Sequence, residues 1–211
     1  MKLAPAFIFM ALTAIATMAA APRDCGGTVV FKDDFESYEV GSAPEPTWYV
    51  FTDKGGTAEV VDGTPIGGDG NALQTTVSGS PDIVLAGLFF TPITSKVVLT
   101  LDVYRESDGL DWLDLRFGAT EIKFRGPNLT FEGHPCGVPG EQQWHAIELT
   151  IDLFASNMDL AIDGELNENC SNLDTGPIQS LDSFYVEALS IEEGVSATTL
   201  VDNIRIKEFD E

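Results

Sequence analysis

Every second residue from Leu113 to Phe117 is a strong core former, and the residues alternating with Leu113, Leu115 and Phe117 are an aromatic, an acceptor and a donor: Trp112, Asp114 and Arg116. Such alternation places the two sets on opposite faces of a strand. Tyr104 ends a second alternating run, in which Val97, Leu99, Leu101 and Val103 face the core while Val98, Thr100, Asp102 and Tyr104 face outward. An exposed aromatic ring beside planar hydrogen-bonding groups suits a sugar, whose C–H surface stacks on the ring while its hydroxyls pair. Tyr104, Trp112, Asp114 and Arg116 are therefore the candidate ligand-binding set, and a neutral glycan is the expected partner. The same residues also fit a plain surface on which Trp112 packs under a loop and Asp114 simply pairs with Arg116.

A second constellation concerns metal. If Leu200, Ile204 and Ile206 alternate inward, Asp202 is carried to the buried face with them, and a buried carboxylate needs a partner. Asp33 keeps register with Phe31 and Phe35 at the other end of the chain, with Asp34 and Glu36 beside it. A structural Ca²⁺ held between Asp33 and Asp202 is the expectation, since calcium favours hard oxygen ligands; backbone amides would serve Asp202 equally well.

Catalytic chemistry is harder to place. Glu106, Asp108 and Asp111 lie close together, but Ser107 and Gly109 between them make the segment read as a solvated turn. Paired carboxylates for retaining glycoside hydrolysis need a fixed separation of about 5 to 5.5 Å, which a turn does not guarantee. His134 and His145 lack zinc spacing, and no Gly-x-Ser-x-Gly elbow occurs. No catalytic residue is assigned.

The elements that must carry these side chains are strands. No stretch after residue 20 sustains an apolar period of 3.6, whereas period-two alternation recurs. It predicts strands at 28–31, 57–61, 71–77, 82–90, 96–104, 112–117, 120–124, 128–131, 144–152, 158–163, 183–191 and 198–207. Gly, Pro, Asn and Asp punctuate them, as in Asp62-Gly63-Thr64-Pro65. About a dozen short strands without helical linkers predict an all-β, two-sheet antiparallel jelly-roll sandwich in one domain, residues 21–211. Trp48 and Trp144 stand at strand starts and read as core or rim residues.

Residues 1–20 open with Met1-Lys2 and continue as an apolar run into small residues, the pattern of a secretory signal peptide. Secretion to a periplasmic or extracellular space follows, with no membrane insertion once the signal is cleaved. The chain carries 34 acidic against 11 basic side chains, a formal net charge of −23, which excludes nucleic acid and anionic lipid as partners. Of the three cysteines, Cys136 and Cys170 flank one probable hairpin folded near Ala155 at comparable distances, so a disulfide between them is expected and Cys25 is left over.

Four segments bear a family likeness. Phe31-Lys32-Asp33-Asp34-Phe35-Glu36-Ser37-Tyr38, followed by Gly41 and Trp48, resembles the opening strand of bacterial proteins of the concanavalin A-like superfamily, which includes lectins, laminin-G-like modules and glycanases. Gly68-Asp69-Gly70-Asn71-Ala72-Leu73 resembles their glycine-rich turn, Trp144-His145 through Ala161-Ile162-Asp163-Gly164 their hairpin, and Val201-Asp202-Asn203-Ile204-Arg205-Ile206 their closing strand. The resemblance implies a jelly roll with one concave sheet that binds or cuts polysaccharide. It departs from the laminarinase group, whose Glu-x-Asp-x-x-Glu strand supplies nucleophile and acid: here Glu106 to Asp111 ends in Asp. A non-catalytic, lectin-like carbohydrate-binding protein is the leading reading. A polysaccharide hydrolase or lyase on the same scaffold, and a structural or adhesive envelope protein, are the alternatives.

Overall fold

The computed structural model describes residues 26–64, 67–68, 70–78, 82–106, 112–137, 139–176, 178–190 and 196–210; the expected signal segment, Cys25 and residues 107–111 of the acidic turn lie outside them. In chain order the strands are Thr28–Asp33 (β1), Tyr49–Thr52 (β2), Thr57–Asp62 (β3), Asn71–Ser78 (β4), Asp82–Ile93 (β5), Lys96–Arg105 (β6), Trp112–Phe117 (β7), Thr120–Arg125 (β8), Asn128–Phe131 (β9), His134–Gly137 (β10), Trp144–Asp152 (β11), Asn157–Ile162 (β12), Glu165–Leu166 (β13), Leu173–Asp174 (β14), Leu181–Ser190 (β15) and Ser196–Phe209 (β16). One sheet runs β13-β12-β11-β6-β16-β4-β3, with β1 added to β16 and β14 to β12; the other runs β10-β9-β8-β7-β15-β5-β2. All strand pairings are antiparallel. The expected two-sheet antiparallel sandwich is what the chain forms. Among the described residues no helix is long and apolar enough to cross a membrane.

The alternation dictates the sandwich because each sheet has one apolar face, and those faces can leave water only against each other. Val97, Leu99, Leu101 and Val103 of β6 meet Leu113, Leu115 and Phe117 of β7 in a single core that also takes in Ile147, Leu149 and Ile151 of β11. Trp48 is its largest fully buried side chain, in contact with Phe31, Phe35 and Phe184.

Asp33 anchors that aromatic group. Its carboxylate accepts hydrogen bonds from the Phe35 amide at 2.9 Å, the Tyr38 hydroxyl at 2.9 Å and the Trp48 indole N–H at 2.8 Å. Phe35 is fully buried with φ of 54°, a conformation a bulky side chain seldom adopts, and the bond from its amide to Asp33 helps hold it there.

The closing strand departs from strict alternation. β16 carries a bulge between Asp202 and Arg205, and Asn203 adopts φ of 52°, a left-handed conformation that asparagine tolerates. Before the bulge Val201 points into the core, and after it Ile204 and Ile206 do. Leu200 and Asp202 therefore face outward, where Leu200 packs with Tyr104 and Ala72. The expected inward phase for Leu200 and Asp202 fails because one extra residue reverses the period.

Cys136, in β10, and Cys170, closing the short 3₁₀ turn Glu168–Cys170, are joined as expected, with Cα atoms 5.5 Å apart. Between them β11 and β12 form the anticipated hairpin, with Asp152 paired to Asn157 at its closed end. The bridge ties the edge strand β10 of one sheet to the turn between β13 and β14 at the edge of the other.

Candidate functional site

The outer face of the seven-stranded sheet is built in rows. Across β2, β5, β15, β7 and β8 the register aligns Tyr49, Gly87, Tyr185, Arg116 and Glu121. The next row aligns Phe51, Leu85, Glu187, Asp114 and Lys123. With strands about 4.8 Å apart, each row spans about 19 Å. One end of this platform is aromatic and the other is charged.

Over its middle lies a groove of 520 Å³ lined by Tyr49, Leu85, Phe89, Arg116, Tyr185 and Glu187. Phe89 and Tyr49 are largely exposed, at 68% and 57%. Exposed large rings gathered around one depression are informative where scattered ones are not. Phe89 stands edge-on to Tyr185, ring centres 5.7 Å apart.

At the charged end Arg116 serves three carboxylates, Glu187 at 3.0 Å, Glu121 at 3.4 Å and Asp114 at 3.5 Å. Arg125 also pairs with Asp114, and Lys123 with Glu121. Glu187 and Asp114 sit directly opposite each other on β15 and β7 and reach the same guanidinium nitrogen, Nη2 of Arg116. Both are nearly buried. Burial pushes the Glu187 carboxyl above its ordinary value, and the neighbouring charges of Asp114 and Glu121 push the same way, against the pull of Arg116 and Arg125.

A raised carboxyl means the folded chain holds a proton that the unfolded chain has already released, so stability falls as pH climbs from the ordinary carboxyl range through the folded value. Glu187→Gln, which keeps the shape without the charge, should therefore melt higher than the wild type at neutral pH. Below the ordinary carboxyl range that advantage should vanish. A melting-temperature difference that does not narrow on acidification would show that Glu187 is not the titrating group.

No protein-family model and no curated protein sequence matches the chain. Solved structures do. A chain described as a sialidase matches with a TM-score of 0.71 at 10% identity, covering 87% of this chain, which spans only 19% of that protein. The catalytic domain of a glycoside hydrolase family 131 protein from Coprinopsis cinerea matches with a TM-score of 0.64 at 14% identity, over 88% of this chain and 96% of that one. The carbohydrate recognition domain of Emp47p matches at 0.55 and 9% identity, over 81% and 92%. Taken with the two antiparallel sheets, these decide the fold. The chain has a concanavalin A-like sandwich fold. Identities this low carry the architecture and nothing about activity.

Within this concanavalin A-like sandwich the four candidate ligand residues are divided. Asp114 and Arg116 lie on the platform, and Trp112 lies one row beyond it, half-buried, with the Arg125 guanidinium 4.1 Å from its ring centre. Tyr104 belongs to the other sheet. It faces outward there as its alternation required, but against Trp144, with ring centres 5.6 Å apart. The period gave each residue its face and could not say which sheet the strand joins.

Asp33 and Asp202 are likewise separated. Asp33 turns to the core side and its oxygens serve Phe35, Tyr38 and Trp48, whereas the bulge sends Asp202 to the outer face of the nine-stranded sheet. There Asp202 lines a 350 Å³ depression with Asp102, Asp163 and Trp144, and Asn203 donates to both Asp102 and Asp202. The two carboxylates thus point to opposite sides of the nine-stranded sheet. Among the described residues no three His, Cys, Asp or Glu side chains converge as ligands for one metal ion.

Tyr49, Gly87, Phe89, Tyr185 and Glu187 were absent from the expected set. Tyr185 and Glu187 had a readable signal, since they alternate with the core residues Phe184 and Val186 of a predicted strand. What was missing was the long-range pairing that sets β15 beside β7.

Proposed function

We propose that the outer face of the seven-stranded sheet binds a neutral glycan and that the protein acts as a lectin-like module. The observation that carries this reading is the groove itself, where the exposed rings of Tyr49 and Phe89 and the half-buried ring of Tyr185 adjoin the Arg116–Glu187 pair. The rings offer apolar surface to sugar C–H groups, and the fixed ion pair offers a donor and an acceptor to hydroxyls. Arg116, Lys123 and Arg125 are matched by Asp114, Glu121 and Glu187, so the platform has no surplus positive charge for an acidic polysaccharide. Solved structures of this fold include a carbohydrate recognition domain and a glycoside hydrolase catalytic domain, so the fold is compatible with this reading.

The test is a microarray of neutral and uronate-containing glycans probed with the mature protein and with Tyr185→Ala. Binding to neutral glycans, reduced at least tenfold in the variant, is the expected outcome. Binding to uronates alone, or binding that Tyr185→Ala leaves intact, contradicts the assignment.

One observation favours a second reading. Glu187, its carboxyl raised by burial, stands opposite Asp114, and a pair of carboxyl groups of which one is raised is what glycoside hydrolysis uses. Release of new reducing ends from a bound glycan, abolished by Glu187→Gln, would establish a hydrolase. Unaltered glycan after prolonged incubation would leave the lectin.

A further inference from the structure

Gly87 sits in the middle of β5, between Tyr49 of β2 on one side and Tyr185 of β15 on the other. Its backbone gives no reason for a glycine, because it is absent from the residues with positive φ. Glycine inside a strand also weakens it relative to alanine. The reason lies in space. A Cβ at position 87 would stand 2.3 Å from Cδ1 and 2.6 Å from Cε1 of Tyr185, closer than real Cβ contacts come. The Tyr185 ring therefore occupies the room that a side chain on β5 would take, leaning across that strand toward Tyr49, with Phe89 set edge-on against it.

Resting on the glycan reading above, we propose that Gly87 is a specificity-determining position whose missing side chain seats the Tyr185 ring as the floor of the groove, between the exposed rings of Tyr49 and Phe89. Arg116 lies opposite Tyr185 on the next strand, so the seated ring also fixes where the apolar part of the groove ends and the charged part begins. A pyranose whose flat face meets Tyr185 would bring its edge hydroxyls to Arg116 and Glu187, both of which line the same groove. This arrangement selects a flat, neutral sugar unit with hydroxyls at its rim over a bent or charged one. Raising the ring off β5 would fill the groove instead of flooring it.

The experiment compares the mature wild type, Gly87→Ala, Tyr185→Ala and the double variant for binding to immobilised neutral glucans, mannans, xylans and galactans, with a thermal melt of each. Gly87→Ala should weaken binding at least tenfold, with a melting temperature no lower than that of Tyr185→Ala, because the added methyl displaces the ring that the other variant removes. A glycine needed only for packing would lower the melting temperature and leave binding intact. In the Tyr185→Ala background, Gly87→Ala should weaken binding no further, since it acts through that ring. Wild-type binding that Tyr185→Ala abolishes but Gly87→Ala leaves unchanged overturns the Gly87 assignment and keeps the glycan reading. Absence of wild-type binding to every one of these neutral polysaccharides overturns the glycan reading, and the role of Gly87 with it.

Discussion

Replacing Asp33 with alanine is expected to lower the free energy of unfolding by about 4 kcal/mol, because it strips the acceptor from three donors at once, each costing about 1 to 3 kcal/mol when left unpaired in the interior. The Trp48 indole N–H and the Phe35 amide are the buried two, and the Tyr38 hydroxyl is the third. Asp33→Asn should be little better, since an amide offers only one accepting atom and turns an N–H₂ toward groups that are themselves donors. Asp34→Ala is the control: its ion pair with the exposed Lys32, at 3.0 Å, is a surface pair of the kind that contributes about 0.5 kcal/mol or less. Urea unfolding measures all three. An Asp33→Ala midpoint within error of the wild type would mean that the aromatic group holds without its anchor.

Losing the Cys136–Cys170 bridge should cost about as much. The two are 34 residues apart in sequence, and closing a loop of that size removes about 4 kcal/mol of unfolded-chain entropy on the chain-entropy account. Cys170→Ala should therefore unfold at a lower urea concentration than the wild type, and reductant should lower the wild type to the variant's level without affecting the variant further. Non-reducing peptide mapping should recover residues 136 and 170 in one linked pair. A Cys25-linked peptide would contradict the pairing.

What the sequence revealed of this fold is the local part. Alternation predicted the elements from Trp112–Phe117 through Asn128–Phe131 closely, along with the hairpin of β11 and β12, because each depends on side chains within a few residues of one another. β2 and β10 escaped notice: four residues hardly exceed one repeat of the period, and β10 contains Pro135 and Gly137. The site was half legible. Asp114 and Arg116 were placed on the correct face, but Tyr104 was grouped with them because a face carries no record of its sheet. Glu187 and Tyr185 come next to them through a pairing of strands some seventy residues apart, and no local period encodes that. Asp202 was misdirected by a single left-handed residue, Asn203, whose effect on a strand's phase is invisible until the strand is laid against its neighbours.

The position of β16 has a consequence for how the molecule is made. It lies between β6 and β4 and is also the strand to which β1 adds. Until Ser196–Phe209 has been synthesised, β3 with β4 and β6 with β11 and β12 are separate fragments of sheet, and β1 has no strand to pair with. Ribosomes add roughly 5 to 20 residues per second, so the nascent chain spends seconds with open edges before β16 can join the pieces.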